Sequence, residues 1–415
     1  MKRNIVTGLD LGTTKVCVVI AEQIDDEHFE ILGSDSSPSE GLHKGLVANI
    51  SKTADAIKEA ISKASNKAGI SISSVNVGVA GEHITSMRHR NYVTISREDK
   101  EITKEDLNRL EADVRTIRIP SDRQILHIIF EEFSIDYQGG IENPIGMSGS
   151  RLEAANHIVL ASIPAIQNIK KSVERAGLKI DEYVLQPIAS STSVLDDSEK
   201  DLGVALIDIG GGTTDLAVFQ NKSIKHTKVI GVAGNQVTND IRESLGIVTE
   251  EAEKLKKEYG YAIETAIIKD EDILIRGVGA RGNTKIPISL LTQIISLRMR
   301  ELFILVDNEI RSAGFKNKIK AGIVLTGGGS LLRGCTELAE DVFGLPTRIG
   351  VPQEMGGKIP TEIESPEFAT VMGLLRGVPG SKTKDHQNFI KQKSDKRKNK
   401  VSVFFKKVQQ FFDEI

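Results

Sequence analysis

Apolar residues along the chain fall into two textures. Short, nearly unbroken apolar runs bounded by glycine and small polar residues predict buried strands. Apolar residues recurring every three or four positions predict amphipathic helices. NIVTGLDLGTTKVCVVIAEQI (4–24) and FEILGSDSSPS (29–39) have the first texture and predict a hairpin-like meander. The stretch 49–69 has the second, with Ala54, Ile57, Ile61 and Ala64 on one face and Gly69 as the stop. SVNVGVAG (74–81) predicts a short buried strand. From Glu82 to about Ala161 the texture is mixed: a helix from Lys104 to Arg115, a strand from Gln124 to Ser134, and a loop GGIENPIGMSGS. IPAIQNIKKSVERAG and QPIASSTSVL predict helices flanking a strand, IDEYVL. VALIDIGGGTTDLAVF (204–219) then restarts the strand pattern. Helices are predicted over GVAGNQVTNDIRESLG, Thr249 to Tyr259 and Ile288 to Ala313. AGIVLTGGGSLLRGCTELAEDVFG reads as strand, glycine-rich turn, helix, and ESPEFATVMGLLRGV as the last core helix.

The pattern repeats itself. TGLDLGTTKVCVVI (7–20) and VALIDIGGGTTDLAVF both write strand, aspartate, glycine-rich turn, strand, about two hundred residues apart. At 415 residues the chain exceeds one ordinary core, so two large domains, or one divided into subdomains, are expected. The composition, 39% hydrophobic and 27% charged, is that of a globular protein. Two cysteines, Cys17 and Cys335, sit beside glycine-rich turns and are expected as small core residues of a reducing compartment. The apolar stretch before Asp10 is too short for a secretory signal, and no apolar run reaches transmembrane length.

Charge changes the picture at one end. Between Ser381 and Lys400 eight Lys/Arg face two Asp, a net of +6 in a chain of net −3, so the remainder carries −9. An acidic body with a basic tail argues against nucleic-acid binding and for an anionic membrane as the tail's partner.

The turns carry the candidate chemistry. Aligned backbone N–H groups form a nest for anions; glycine allows close approach, and threonine hydroxyls add donors. Two facing turns would hold both sides of a polyphosphate: Gly12, Thr13, Thr14 and Lys15 in one, Gly210, Gly211, Gly212, Thr213 and Thr214 in the other. Asp10 and Asp208, each ending the strand before its turn, are placed to hold a hydrated Mg²⁺. A third turn, Gly327, Gly328 and Gly329, opens a helix and offers a surface to a nucleoside. One such turn alone is common; the echo with matching aspartates is what points to phosphate. Neither a P-loop nor a dinucleotide fingerprint occurs.

The order D-x-G-T-T, D-x-G-G-G-T-T-D, T-G-G-G-S resembles the actin, hexokinase and DnaK-type chaperone superfamily, in which two related domains close on ATP. SPSEGLHKGLVANI (37–50) and DYQGGIENPIGMSGSRLEA (136–154) resemble segments of the FtsA family of cell-division proteins. That resemblance spans about 375 residues and implies an α/β, actin-like duplicated fold: mixed sheets flanked by helices, with the nucleotide cleft between the domains. It implies subdomain 1A at 1–83, 163–197 and about 366–379; 1C at 84–162; 2A at 198–246 and 304–365; and 2B at 247–303. It also implies that Glu253 and Lys256 reach ribose and adenine, and that Gly234 and Asn235 approach the nucleotide at a helix N-terminus, where a plain N-cap serves equally well. Gln186 stands where many superfamily members carry a carboxylate that positions the attacking water. An amide cannot take a proton at neutral pH, so slow or absent ATP hydrolysis is expected.

Residues 380–399 lack apolar periodicity and predict a flexible basic linker; 400–415 predict an amphipathic helix. At 100° per residue Val401, Phe404, Phe405, Val408, Phe411, Phe412 and Ile415 share an arc of roughly 120°. Separated from the core, such a face finds a bilayer interface, or failing that a partner's groove. The resemblance further implies a peripheral protein on the cytoplasmic face of the bacterial inner membrane at the septum. Its implied partners are anionic lipids, the C-terminal peptide of the tubulin-like FtsZ, other divisome proteins, and copies of itself in an actin-like filament. Arg298 and Arg300 would pair with acidic residues of the peptide, though exposed helix arginines are as often simply solvated. The alternatives are a pilus-assembly adaptor, which the 136–154 segment and the Phe-rich tail disfavour, and a small-molecule kinase, for which no substrate base is found.

Overall fold

The computed structural model describes residues 3–25, 28–275, 282–353 and 359–377. The expected basic linker at 380–399 and the amphipathic helix at 400–415 lie outside the described residues. The interior strand Lys15–Gln23 shows how the fold is built. Both of its faces are apolar. Val16, Val18 and Ile20 pack with Ile57, Ala60 and Ala64 of the helix Ile50–Ala68. Cys17, Val19 and Ala21 pack with Val371, Met372 and Leu375 from the C-terminal end. A strand covered on both sides reads as an unbroken apolar run, which is why the sequence shows one.

This strand is the second of a five-stranded mixed sheet. Ile5–Leu11, Lys15–Gln23 and Phe29–Pro38 form the expected antiparallel meander, and Ser74–Val79 and Lys179–Leu185 add two parallel strands beyond Ile5–Leu11. The second half repeats this plan. Val204–Ile209, Thr214–Gln220 and Ser223–Ile230 are antiparallel neighbours, and Gly322–Thr326 and Thr347–Ile349 are parallel additions on the same side. The duplication read from two short motifs therefore extends to whole sheets.

The halves differ in where each frame is interrupted. In the first, residues between the fourth strand and the helix Ile163–Arg175 form a separate antiparallel sheet. Its strands are Thr85–Thr94, Arg151–Ser162, Arg123–Ile135 and Gln138–Ile141, in that order. That sheet has its own small core around Ile95, Ile102, Leu110, Phe133 and Leu152, part of it from the helix Lys104–Val114. In the second half the extra elements precede the fourth strand: the helix Thr249–Tyr259, a hairpin of Asp272–Ile275 with Thr284–Pro287, and the long helix Ile288–Ser312.

The helix Gln186–Val194 joins the halves. All of its residues after Gln186 are buried. Ile188 and Val194 share one core with Val18 and Val77 of the first sheet and with Leu206 and Val324 of the second. The short helix Ala369–Gly373 crosses it so closely that a Cβ on Gly373 would lie 1.8 Å from the Ala189 carbonyl oxygen. Two expectations are corrected here. The segment GGIENPIGMSGS is not all loop, since its start lies in the edge strand Gln138–Ile141. The last core helix spans Ala369–Gly373 only, after a 3-10 turn at Pro366–Phe368.

Candidate nucleotide site

Both hairpin turns close in the same way. The Gly12 N–H donates to the Lys15 carbonyl (3.0 Å), and the Gly210 N–H donates to the Thr213 carbonyl (2.9 Å). The turns face each other directly. A Cβ on Gly212 would stand 2.5 Å from Thr13 Oγ1, and one on Gly211 would stand 2.4 Å from Thr14 Cγ2. The duplicated motif thus becomes two opposed backbone loops, one from each sheet, approaching as only glycine permits.

Below the turns lie the carboxylates. Asp10 and Asp208 are joined by a residue outside the expected set, Asp215, the register partner of Asp208; the matching position in the first hairpin is Cys17, opposite Asp10. Burial, reinforced by the charge of Asp208 and opposed by Lys15, raises the Asp10 carboxyl to about 7. Asp208 is also raised by burial, against hydrogen bonds donated by Ser190 Oγ (2.8 Å) and Thr370 Oγ1 (3.1 Å) to its Oδ2. Asp215 is pushed well above the carboxylate range by burial and by the other two charges. Three enclosed carboxyls with one lysine nearby form a site short of positive charge, and this fits a divalent cation. Among the described residues no three His, Cys, Asp or Glu side chains converge closely enough to ligate a metal directly. The arrangement suits an ion met through its water shell, as Mg²⁺ often is.

Gln186 donates from Nε2 to Asp10 Oδ1 at 2.7 Å. One of its two N–H donors is thereby committed, and its Oε1 is left as an acceptor. Gly78 lies close to both: a Cβ there would stand 3.1 Å from Gln186 Cγ, a tight approach, and 3.4 Å from Asp10 Oδ1, an ordinary contact.

The third turn packs against the second. Gly327 has φ +79°, and a Cβ there would meet Asp208 Oδ1 at 2.3 Å; one on Gly329 would meet Ile209 Cγ2 at 2.3 Å. Contrary to the expectation from sequence, the turn does not open the α-helix. It enters a 3-10 helix, Gly328–Leu331, and the α-helix Cys335–Phe343 starts only after Gly334, at φ +74°. The left-handed residue between them breaks the helical path.

Around this centre the remaining expected residues divide. Gly234 and Asn235 donate their N–H groups to the carbonyls of Gly210 (3.0 Å) and Gly211 (2.8 Å). They fasten the helix Gly234–Leu245 to the second turn, so the two N–H groups do not face an anion. Lys256 donates to the Gly234 carbonyl (3.1 Å) and Thr238 Oγ1 (2.8 Å) and pairs with Glu253 (2.6 Å), which brings both residues to the second turn. Against its burial, the charge and hydrogen bond of Lys256 hold Glu253 below the usual carboxylate range; burial lowers Lys256 despite Glu253. Lys15 lies 3.4 Å from Glu367 Oε2 and 4.6 Å from the Phe368 ring centroid. Ser190, Thr370, Glu367 and Phe368 had no signal in the sequence, because they converge from segments some 180 residues apart. Asp215 had one: it is the eighth residue of the motif, a carboxylate directly before the apolar run Leu216 to Phe219.

Two expected partner residues are already engaged. Arg298 forms a bidentate pair with Asp240 (2.6 and 3.0 Å) and also reaches Glu301; Arg300 pairs with Asp341 at 2.8 Å. Cys17 and Cys335 are buried, as expected, and burial pushes both thiols up to about 12.

Comparison with known proteins gives a consistent result. Residues 205–373 match the family model described as cell division protein FtsA, and residues 81–160 match an SHS2 domain inserted in FtsA. The FtsA of Neisseria meningitidis serogroup B is 43% identical over 375 residues, covering 90% of each chain. That of Escherichia coli K12 is 38% identical over 380 residues, again covering 90% of each. Among solved structures, the PilM-PilN type IV pilus biogenesis complex aligns with TM-score 0.66 at 19% identity, covering 91% of this chain and 99% of that one. MreB5 of Spiroplasma citri bound to ADP aligns with TM-score 0.54 at 16% identity, covering 91% and 99%. The fold is that of the actin-like ATPases.

Proposed function

The chain belongs to the FtsA family of cell-division proteins, and from that premise we propose that it is an ATP-binding, filament-forming adaptor that ties FtsZ filaments to the cytoplasmic membrane. The observation that carries the nucleotide part is the opposition of the two turns, Thr13 and Thr14 against Gly211 and Gly212, above Asp10 and the buried Asp208. In this reading Gly12–Lys15 and Gly210–Thr214 meet the phosphates from two sides. Gly327–Gly329 lie on the nucleoside side, with Glu253 and Lys256 at its edge. Mg²⁺, when bound, neutralises phosphate charge; Asp10 and Asp208 orient its water shell.

Gln186 supports slow turnover. With one N–H given to Asp10, its carbonyl can align a water but cannot accept that water's proton at neutral pH. The nucleotide then acts by holding the two halves in one shape, which a neighbouring copy recognises. For the FtsZ peptide, the long helix Ile288–Ser312 offers Leu290, Leu297 and Ile304, seven residues apart and exposed, with Leu297 at 74%. Arg300 flanks that stripe; Arg298 would have to leave Asp240 to take part. The tail face Val401–Ile415 supplies the membrane foot. Polymerisation multiplies its modest single-helix affinity.

The test is reconstitution. FtsZ filaments, ATP, Mg²⁺ and this chain are mixed with anionic vesicles and sedimented. FtsZ is expected in the vesicle pellet with the full chain and in the supernatant with residues 401–415 deleted. FtsZ that pellets equally without the chain, or with the truncated one, would contradict the proposal.

A further inference from the structure

A half-open cavity of about 390 Å³, lined by none of the glycine-rich turn residues, lies at the seam between the inserted four-stranded sheet and the second half. Ser86, Met87, Arg88 and His157 line it from the inserted sheet. Lys225 and His226 enter from the strand Ser223–Ile230, Glu309 and Ser312 from the end of the long helix, and Phe315 and Lys318 from the turn beyond.

Its charges do not balance. His226 (2.8 Å) and Lys228 (3.9 Å) both answer Glu309. Arg88 and Lys225 share one fully buried carboxylate, Glu131, with Arg88 bidentate at 2.9 and 2.6 Å and Lys225 at 3.6 Å. Lys318 has no carboxylate partner among the described residues; it stands 5.1 Å from the Phe315 ring centroid. The excess is therefore positive. Within it sits His157, 1% exposed, with Nε2 held by Thr227 Oγ1 at 3.0 Å and Nδ1 without a hydrogen-bond partner. Burial, joined by the charges of His226, Arg88 and Lys225, holds this imidazole neutral down to about 3. A buried polar atom without a partner costs stability unless something satisfies it. The floor is apolar: Phe315 stacks with His226 at 6.3 Å and 25°, beside Met87.

We propose that this cavity is a second ligand site that takes a small organic dianion, an aromatic or aliphatic phosphate ester or dicarboxylate. Its charge faces Arg88, Lys225 and Lys318, and its apolar part lies on Phe315. Because the walls come from two sheets, such a ligand ties the inserted sheet to the second half, where direct bonds already include Ser86 Oγ to the Thr227 carbonyl (3.3 Å) and Ser223 Oγ to the Glu131 carbonyl (3.0 Å). The inference is independent of the nucleotide reading.

Phenyl phosphate and inorganic phosphate are the probes, titrated into the full chain by calorimetry, with hydrogen exchange read at 85–88 and 223–227. Lys318→Glu and Ser312→Glu, both at exposed positions, place a carboxylate in the wall without touching a core. Phenyl phosphate is expected to bind several-fold tighter than inorganic phosphate and to slow exchange in both segments. Each variant is expected to weaken it at least tenfold while melting at the wild-type temperature. Equal binding by wild type and both variants, tighter binding of inorganic phosphate, or no exchange response would overturn the proposal. Binding at the glycine-rich turns would be indifferent to Lys318 and so falls among those adverse results.

Discussion

Replacing the Asp10 carboxylate with an amide should make the nucleotide-free protein more stable while removing Mg²⁺-dependent nucleotide binding. Asp10 is enclosed near Asp208, and its carboxyl titrates at about 7 instead of the ordinary 3.8. The sign follows from linkage. Between those two values the folded state binds more protons than the unfolded state, so stability falls as pH rises from about 4 to about 7 and is flat outside that window. The shift of about three units sets an upper bound of about 4 kcal/mol lost above pH 7. An asparagine side chain carries no charge and keeps an Oδ1 to accept from Gln186 Nε2, now 2.7 Å away, so the substitution removes the penalty with little change of shape. With an unfolding entropy of about 2.1 cal/mol/K per residue over a core of roughly 370 residues, 4 kcal/mol corresponds to about 5 °C. The assay is thermal unfolding of wild type and Asp10→Asn at pH 5 and pH 8, without nucleotide and then with ATP and Mg²⁺. The variant should melt up to about 5 °C higher at pH 8, with the difference shrinking at pH 5. Mg²⁺ should add nothing to the stabilisation of the variant by ATP. A variant that is destabilised equally at both pH values, or that keeps the full Mg²⁺ effect, would refute the reasoning.

Gly327→Ala should cost roughly 1–3 kcal/mol through its left-handed backbone and its approach to Asp208 Oδ1, seen as a lower midpoint in urea, and should weaken ATP binding. Arg298→Ala should cost about 1 kcal/mol by releasing Asp240 and leave FtsZ-peptide affinity nearly unchanged. Arg300→Ala should do the reverse, weakening the peptide in fluorescence anisotropy with little loss of stability, since its pair with Asp341 is largely exposed. Native Cys17 and Cys335 should not react with a thiol reagent at pH 8 until the chain is unfolded, because burial holds both thiols near 12.

What was legible in the sequence was what chain-local physics dictates. The helix Ile50–Ala68 ends at Gly69 in the left-handed conformation, as its stop signal predicts, and Thr249–Tyr259 has the bounds its pattern gave. The repeated strand–Asp–turn–strand motif led to the duplicated sheets because each copy is contiguous. The rest depends on long-range convergence. Ser190 and Thr370 reach Asp208 from helices that local periodicity marks only as buried. Glu367 and Phe368 reach Lys15 from the far end of the core. Arg298 looked like a solvated or partner-facing cation until the fold brought Asp240 beside it. The break before Cys335 was missed because LTGGGSLLRGC carries glycines at both ends, and only the backbone shows that Gly334 interrupts the helix.

Two opposed turns, one from each half, are proposed to hold ATP with Mg²⁺. Equilibrium titration of fluorescent ATP measures it most directly, on wild type, on Thr13→Val with its lost hydroxyl, and on Gly212→Val, which fills the space facing Thr13. One site per chain is expected, Mg²⁺-dependent, weakened at least tenfold by Gly212→Val and to a lesser degree by Thr13→Val, with both variants folded by circular dichroism. Unchanged affinity in both variants, or binding indifferent to Mg²⁺, would contradict it.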